Sequence, residues 1–181
     1  MIGTHNSLTA CEPIHWYFKP FKFLWRCQTK FLREQLEYGT KFVDIRVRIN
    51  DKGEIVFCHG IVDLECSNLE YILIMLATYN ATCRIIVERG NSLKIMDYIP
   101  FEYFDTVVKQ VIIKKGWRVI YNRLENEIID YSYVPFYSDK SFWWNIKHMK
   151  FSTIKKWAKQ HNPKFNNDIL KSNTIHFVDY F

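Results

Sequence analysis

Short apolar runs that close on a polar or charged residue alternate with amphipathic stretches along this chain, and that rhythm narrows its fold more than any other feature. Phe42–Val47, Ile55–His59, Ile85–Glu88, Arg118–Tyr121 and Ile175–Asp179 read as strands, the second after an Asp51-Lys52-Gly53 turn. Helical patterns lie between them. Phe31–Tyr38 stops at Gly39, and Ser67 with Glu70 reads as a capping box ahead of the stripe Leu69, Ile72, Leu73 and Leu76. Tyr103–Lys115 carries Phe104, Val107, Val108, Val111 and Ile112 before Gly116, and Ser152 caps a stretch reaching Gln160 before Asn162-Pro163. Residues 122–150 are aromatic and irregular. The alternation predicts an α/β domain on a parallel sheet. If the sheet closes into a barrel, the polar endings Arg46, His59, Glu88 and Asp179 meet at one face. For any one strand, a polar ending is by itself only the start of a loop.

At 181 residues the chain is read as one domain, residues 1–181. Its 48% apolar content argues against disorder. A net charge of +6 favours anionic partners. Its basic residues are scattered in pairs such as Lys114-Lys115 and Lys155-Lys156, so nucleic acid is not an expected partner. The five cysteines are odd in number and contain no Cys-x-x-Cys pair, which predicts free thiols in a reducing compartment. No leader pattern opens the chain, and its longest apolar run, Ile72–Ala77, is too short to span a bilayer. The expectation is a soluble monomer, cytoplasmic or peripheral at a membrane surface.

Three motifs in order carry the chemistry. The first is Ile2-Gly3-Thr4-His5-Asn6-Ser7. The second is Glu34-Gln35-Leu36 followed by Gly39 and the strand with Asp44 and Arg46. The third is Cys58-His59-Gly60. Together they resemble the X region of phosphatidylinositol-specific phospholipases C, with the match clearest from Ile2 to about Glu88. Val178-Asp179-Tyr180 is similar to the last barrel strand of the bacterial enzymes. The resemblance implies a distorted or pared-down TIM barrel and a ribonuclease-like reaction in which the inositol 2-hydroxyl attacks the adjacent phosphorus. It implies His5 as general base, His59 as general acid, Asp179 as the carboxylate orienting the base, Arg46 as the phosphate-stabilising cation, and Asp44 as an acidic residue on the acid side. Asn6, Glu88 and Arg123 are the expected substrate contacts.

Elementary chemistry agrees. Transesterification removes a proton from the nucleophile and delivers one to the leaving alkoxide, and two histidines can divide those tasks near neutral pH. Charge developing on phosphate needs a fixed cation, and arginine supplies paired donors that stay charged. Period two places Asp44 and Arg46 on one strand face; taken without the motifs, that pair is an ordinary strand ion pair.

Two departures bear on metal. Asn6 stands where bacterial members carry Asp and where calcium-dependent members carry Asn. Arg46 stands where the calcium-dependent members carry an acid, so the expectation is no cofactor. Calcium on Asn6, Asp44 and Glu88 is the alternative. Trp143-Trp144 and the tyrosine-rich stretch 131–137 read either as core or as a sugar platform or membrane-facing rim. His15, His148, His161 and His176 are read as structural or exposed. Complete barrels of this kind run to about 250 residues, so the barrel is pared down or strands lie upstream. The expected partner is a phosphoinositide or similar phosphodiester, with transient membrane contact. A glycerophosphodiesterase-like hydrolase and a non-catalytic barrel binding phospholipid or phosphosugar headgroups are the other readings.

Overall fold

A computed structural model describes residues 1–89, 111–115, 118–122, 128–130, 142–148, 153–163 and 174–179. Its strands are β1 Ile2–Thr4, β2 Glu12–Pro13, β3 Phe42–Ile49, β4 Ile55–His59, β5 Val62–Glu65, β6 Thr82–Arg89, β7 Val111–Lys115, β8 Arg118–Asn122, β9 Ile128–Asp130 and β10 Ile175–Val178. Its helices are α1 Lys22–Trp25, after a 3-10 turn at Trp16–Phe21, then α2 Leu32–Glu37, α3 Leu69–Thr78, α4 Phe142–Lys147 and α5 Ile154–His161.

The order β9-β10-β1-β3-β6-β7 is parallel throughout, with β8 antiparallel on β7. This is a curled half-barrel, the pared-down α/β barrel expected from the sequence. The sheet is mixed rather than wholly parallel. β4 pairs antiparallel with the upper half of β3, β5 with β4, and β2 with β5. The reason is connection length: a few residues join β3 to β4, β4 to β5 and β7 to β8, too few for the crossover a parallel pair needs.

The alternation in β3 sets the two sides of the sheet. Val43, Ile45 and Val47 are fully buried, with Cys83, Ile85 and Val87 of β6, against Leu32 and Leu36 of α2 and Leu69, Ile72, Leu73 and Leu76 of α3. The other face holds Phe42, whose ring meets that of Phe177 edge-on at 4.9 Å, with Ile175 beside them. Above this apolar floor the same face turns polar.

Three local readings change. Val111–Lys115 is a strand, not the end of a helix, because its β-branched run pairs with the buried β6 and tertiary pairing overrides the helical spacing; residues 103–110 of that reading lie outside the described residues. The cap of α3 is Asn68, which accepts from the Tyr71 N–H at 2.8 Å, rather than Ser67. The cap of α5 is Thr153, not Ser152. Within the irregular region, 128–130 form a strand and 142–147 a helix. Trp143 on that helix is exposed and Trp144 stacks on His148 at 4.1 Å, which excludes the core reading for both. The stretch 131–137 lies outside the described residues.

Candidate active site

Thr4 ends β1, and the next three residues make a tight turn strapped to β3. Ser7 Oγ donates to Thr4 O at 2.7 Å and accepts from the Asp44 N–H at 2.9 Å, while the Ser7 N–H donates to Asp44 O at 2.8 Å. Asn6 takes a left-handed conformation, φ 46°, which asparagine tolerates better than most residues. Gln35 of α2 is fully buried and donates to Ser7 O and Lys30 O, both at 2.7 Å. The hydroxyls and amide of the first two motifs thus hold the loop that presents His5 and Asn6.

His5 meets Asp179 through sheet register. Thr4 pairs with Val178 in the parallel β1–β10 ladder, so the next residues on both chains stand side by side. His5 Nδ1 lies 3.0 Å from Asp179 Oδ1. Arg46 NH2 lies 2.7 Å from His5 Nε2. Guanidinium only donates, so Nε2 is the acceptor and the imidazole proton sits on Nδ1, facing Asp179. This tautomer leaves the basic lone pair on the cleft side.

Arg46 is fixed from two sides. Its NH1 donates to Glu88 Oε1 at 2.9 Å, and its NH2 stands 3.6 Å from Asp44 Oδ2. Asp44 is fully buried and accepts from Arg84 NH2 at 2.9 Å. Burial alone would push its carboxyl up, but the charges of Arg84 and Arg46 hold it well below the usual carboxylate range. The resemblance put Asp44 on the acid side of the site. Its contacts run instead to the His5 side, with Oδ2 3.6 Å from His5 Nε2, because Arg84 stands opposite Asp44 in the β3–β6 register and draws the carboxylate inward.

His59 arrives from the other direction. β4 runs antiparallel to β3 with Phe57 opposite Val47, and continuing that register folds Cys58 and His59 back alongside Arg46 and Ile45. The following Gly60 has φ 60°, a conformation glycine adopts without strain, and its N–H donates to Glu88 Oε2 at 2.6 Å. Both Glu88 oxygens are therefore engaged by the protein, one by Arg46 and one by the His59 turn. His59 Nδ1 donates to Trp25 O at 2.5 Å. Burial first, and then the Arg46 charge, hold its imidazole down to about 4, so it is neutral in the empty site at pH 7. The Asn6 amide stands between the two rings: its Nδ2 donates to His59 Nε2 at 3.3 Å, and its 3.0 Å approach to His5 Nδ1, which carries the ring proton, is a contact and not a hydrogen bond.

His5, Asn6, Asp44, Arg46, His59, Glu88 and Asp179 thus gather in one cleft. Arg46 reaches it from the middle of β3 and not from a strand end. Arg123 lies outside the described residues. The sequence reading passed over several contributors: Trp25, whose carbonyl orients His59; Arg84; Cys27; and Gln28. Gln28 is fully buried and its Nε2 donates to His5 O at 3.0 Å and Val178 O at 2.9 Å. Only Arg84 had a signal, its period-two relation to Glu88.

The donor sets bear on metal. His5, Cys27 and Asp179 offer ligand atoms within 4.8 Å of one another. His5 and Asp179 are already hydrogen-bonded, and burial, then the Asp179 charge, push the Cys27 thiol up, so it offers SH rather than thiolate. The Asp44 and Glu88 carboxylates of the calcium alternative both contact the Arg46 guanidinium. An internal cation already serves them.

The fold is shared with bacterial phosphatidylinositol-specific phospholipases C. The enzyme from Listeria monocytogenes superposes with a TM-score of 0.65 at 16% identity, covering 99% of this chain and 87% of that one. A double-substituted form of the enzyme from S. aureus gives 0.57 at 15% identity, covering 99% and 84%. A further S. aureus structure, concerned with modulation of membrane binding, gives 0.55 at 15% identity, covering 99% and 85%. No protein-family model and no curated protein matches the sequence.

Proposed function

We propose that this chain is a metal-independent phosphodiesterase that cleaves phosphatidylinositol or a closely related diester through a cyclic phosphate. The observation that supports it best is the placing of a carboxylate-oriented histidine, His5, and a second histidine, His59, on either side of one amide, with Arg46 beside them. His5 Nε2 takes the proton of the inositol 2-hydroxyl, whose oxygen forms the new bond to phosphorus. Arg46 carries the charge on the phosphate oxygens. His59 Nε2 delivers a proton to the departing alkoxide as its bond to phosphorus breaks. Water then opens the cyclic diester with the two roles reversed.

In the empty site Arg46 covers His5 Nε2. A phosphate competes for the same guanidinium and frees the base. The same anion offsets the Arg46 charge that keeps His59 neutral, so the acid gains its proton when substrate is bound.

The surroundings suit a lipid. A cavity of about 420 Å³ beside His59 is lined by Phe18, Phe21, Leu24, Trp25, Ile61 and Val62, on the side where the leaving group departs. Of its lining, Ile61 is 65% exposed and Phe21 and Leu24 about half exposed, and Trp16, on the same 3-10 turn as Phe18 and Phe21, is 77% exposed. So much clustered apolar surface is the mark of an interaction site, and contact with a membrane surface is part of the proposal. Among the described residues no helix is long and apolar enough to cross a membrane.

Phosphorus NMR of a phosphodiester panel that includes phosphatidylinositol and glycerophosphoinositol tests the reading. A cyclic inositol phosphate is expected at the earliest times, followed by slower conversion to the linear phosphate. A linear product with no cyclic precursor would favour the glycerophosphodiesterase-like reading. Headgroup binding without turnover on any diester would favour the non-catalytic barrel.

A further inference from the structure

All five cysteines are free thiols, and two of them face each other away from the catalytic cleft. β2 and β5 pair with Glu12 opposite Glu65 and Pro13 opposite Leu64. The Ile14 N–H donates to Asp63 O at 2.9 Å, which makes that pair a hydrogen-bonded one, and the two kinds of pair alternate from there. One step past Glu12 and Glu65 the register sets Cys11 opposite Cys66 in a non-hydrogen-bonded position. Cα atoms in such positions stand ~4.5 Å apart with their side chains closest, inside the ~4.4–6.8 Å that a disulfide spans. The two side chains are already in contact. Both are partly exposed, whereas Cys27, Cys58 and Cys83 are buried.

We propose that Cys11 and Cys66 form a dithiol–disulfide site that closes in the presence of a low-molecular-weight disulfide and braces together the two segments carrying His5 and His59. Cys11 ends the loop that begins at His5; Leu8 O in that loop is 4.0 Å from Cys66 Sγ. Cys66 follows β5, the strand reached from His59 through Gly60 and Ile61. The inference is independent of the catalytic reading.

The chemistry balances with glutathione disulfide as oxidant. Cys11, as thiolate, attacks one sulfur of the oxidant, and one glutathione thiolate leaves. Cys66, as thiolate, then attacks the Cys11 sulfur and expels the second. The two thiol protons end on the two glutathiones; the chain loses two electrons and the oxidant gains them. Cys11 is the first nucleophile. The adjoining Cys66 side chain holds its thiol low and, against the effect of burial, so does the nearby charge of Arg26. That guanidinium is fixed by Thr9 O at 3.2 Å and Ala10 O at 2.8 Å.

The test equilibrates the whole chain in glutathione buffers of graded poise, alkylates the remaining thiols, and maps cross-linked peptides by mass spectrometry. The expected result is loss of two thiols, with Cys11 joined to Cys66 and Cys27, Cys58 and Cys83 still alkylated after unfolding. The oxidised form should melt higher by roughly 5–15 °C. Amide exchange should slow at Ser7, Thr9 and Cys11. Cys11→Ser and Cys66→Ser should each abolish the intramolecular bond and the shift, and Cys83→Ser should keep both. Five alkylatable thiols at the most oxidising poise, stable glutathione adducts in place of the bond, or pairing with another cysteine would each overturn the proposal. So would a Cys11–Cys66 bond that leaves both melting and exchange unchanged, since nothing would then be braced.

Discussion

The protonation of His59 can be read directly in stability. The folded protein holds this imidazole at about 4, against ~6.5 in an unfolded chain. Because the folded value is the lower one, the unfolded state takes up the proton first as pH falls. Stability is complete above about 6.5, declines between about 6.5 and about 4, and levels off below, with a total cost of about 3 kcal/mol at ~1.36 kcal/mol per tenfold change. Between pH 7 and pH 4.5 the loss from this group is about 2 kcal/mol by the same linkage. The perturbation is His59→Asn, which keeps a donor for Trp25 O but does not titrate. Urea unfolding of both proteins at the two pH values should show wild type losing about 2 kcal/mol more than the variant, all other groups cancelling in the comparison. Parallel lines for the two proteins would refute burial and the Arg46 charge as the determinants of His59. A ring NMR titration adds the functional half. Saturating inorganic phosphate should raise the His59 value well above 4, because an anion beside Arg46 offsets the charge that opposes protonation. No movement on binding would leave His59 without a proton to give.

Other outcomes follow from the same geometry. His5→Ala and His59→Ala should each lose at least ~100-fold in kcat, and a substrate with a good leaving group should rescue His59→Ala far more than His5→Ala; equal rescue would mean that acid and base are assigned wrongly. Activity should survive strong chelation and be abolished by Arg46→Asp, whereas wild-type activity lost in chelator and restored by calcium alone would promote Asn6, Asp44 and Glu88 to metal ligands. Arg84→Met leaves the Asp44 carboxylate buried with a major partner gone and should cost about 3–5 kcal/mol in urea unfolding; a cost under ~1 kcal/mol, typical of an exposed pair, would show that water reaches Asp44. Gln28→Leu removes the amide that joins the backbones of His5 and Val178 and should lower kcat roughly tenfold with KM nearly unchanged, about 1.4 kcal/mol of lost positioning; a change confined to KM would argue against that role.

Local pattern determined a good part of this protein. The period-two run in β3 set Val43, Ile45 and Val47 against the helices and Asp44 and Arg46 inward, because alternation is a property of the strand itself. Order and spacing of Thr4-His5-Asn6-Ser7 and Cys58-His59-Gly60 singled out His5, Asn6 and His59, which the fold brings into one cleft. Pairings between distant segments were decided only in three dimensions. His5 and Asp179 are 174 positions apart and meet through the β1–β10 register. Asp44 turned to the His5 side because Arg84 stands opposite it, and no single-strand pattern encodes a partner on another strand. Val111–Lys115 had helical spacing yet became a strand, since a free edge of β6 outweighs a marginal local preference. Trp25, Gln28 and Cys66 act through a carbonyl, a buried amide and a facing thiol, groups whose role depends on what the fold brings within about 3–4 Å.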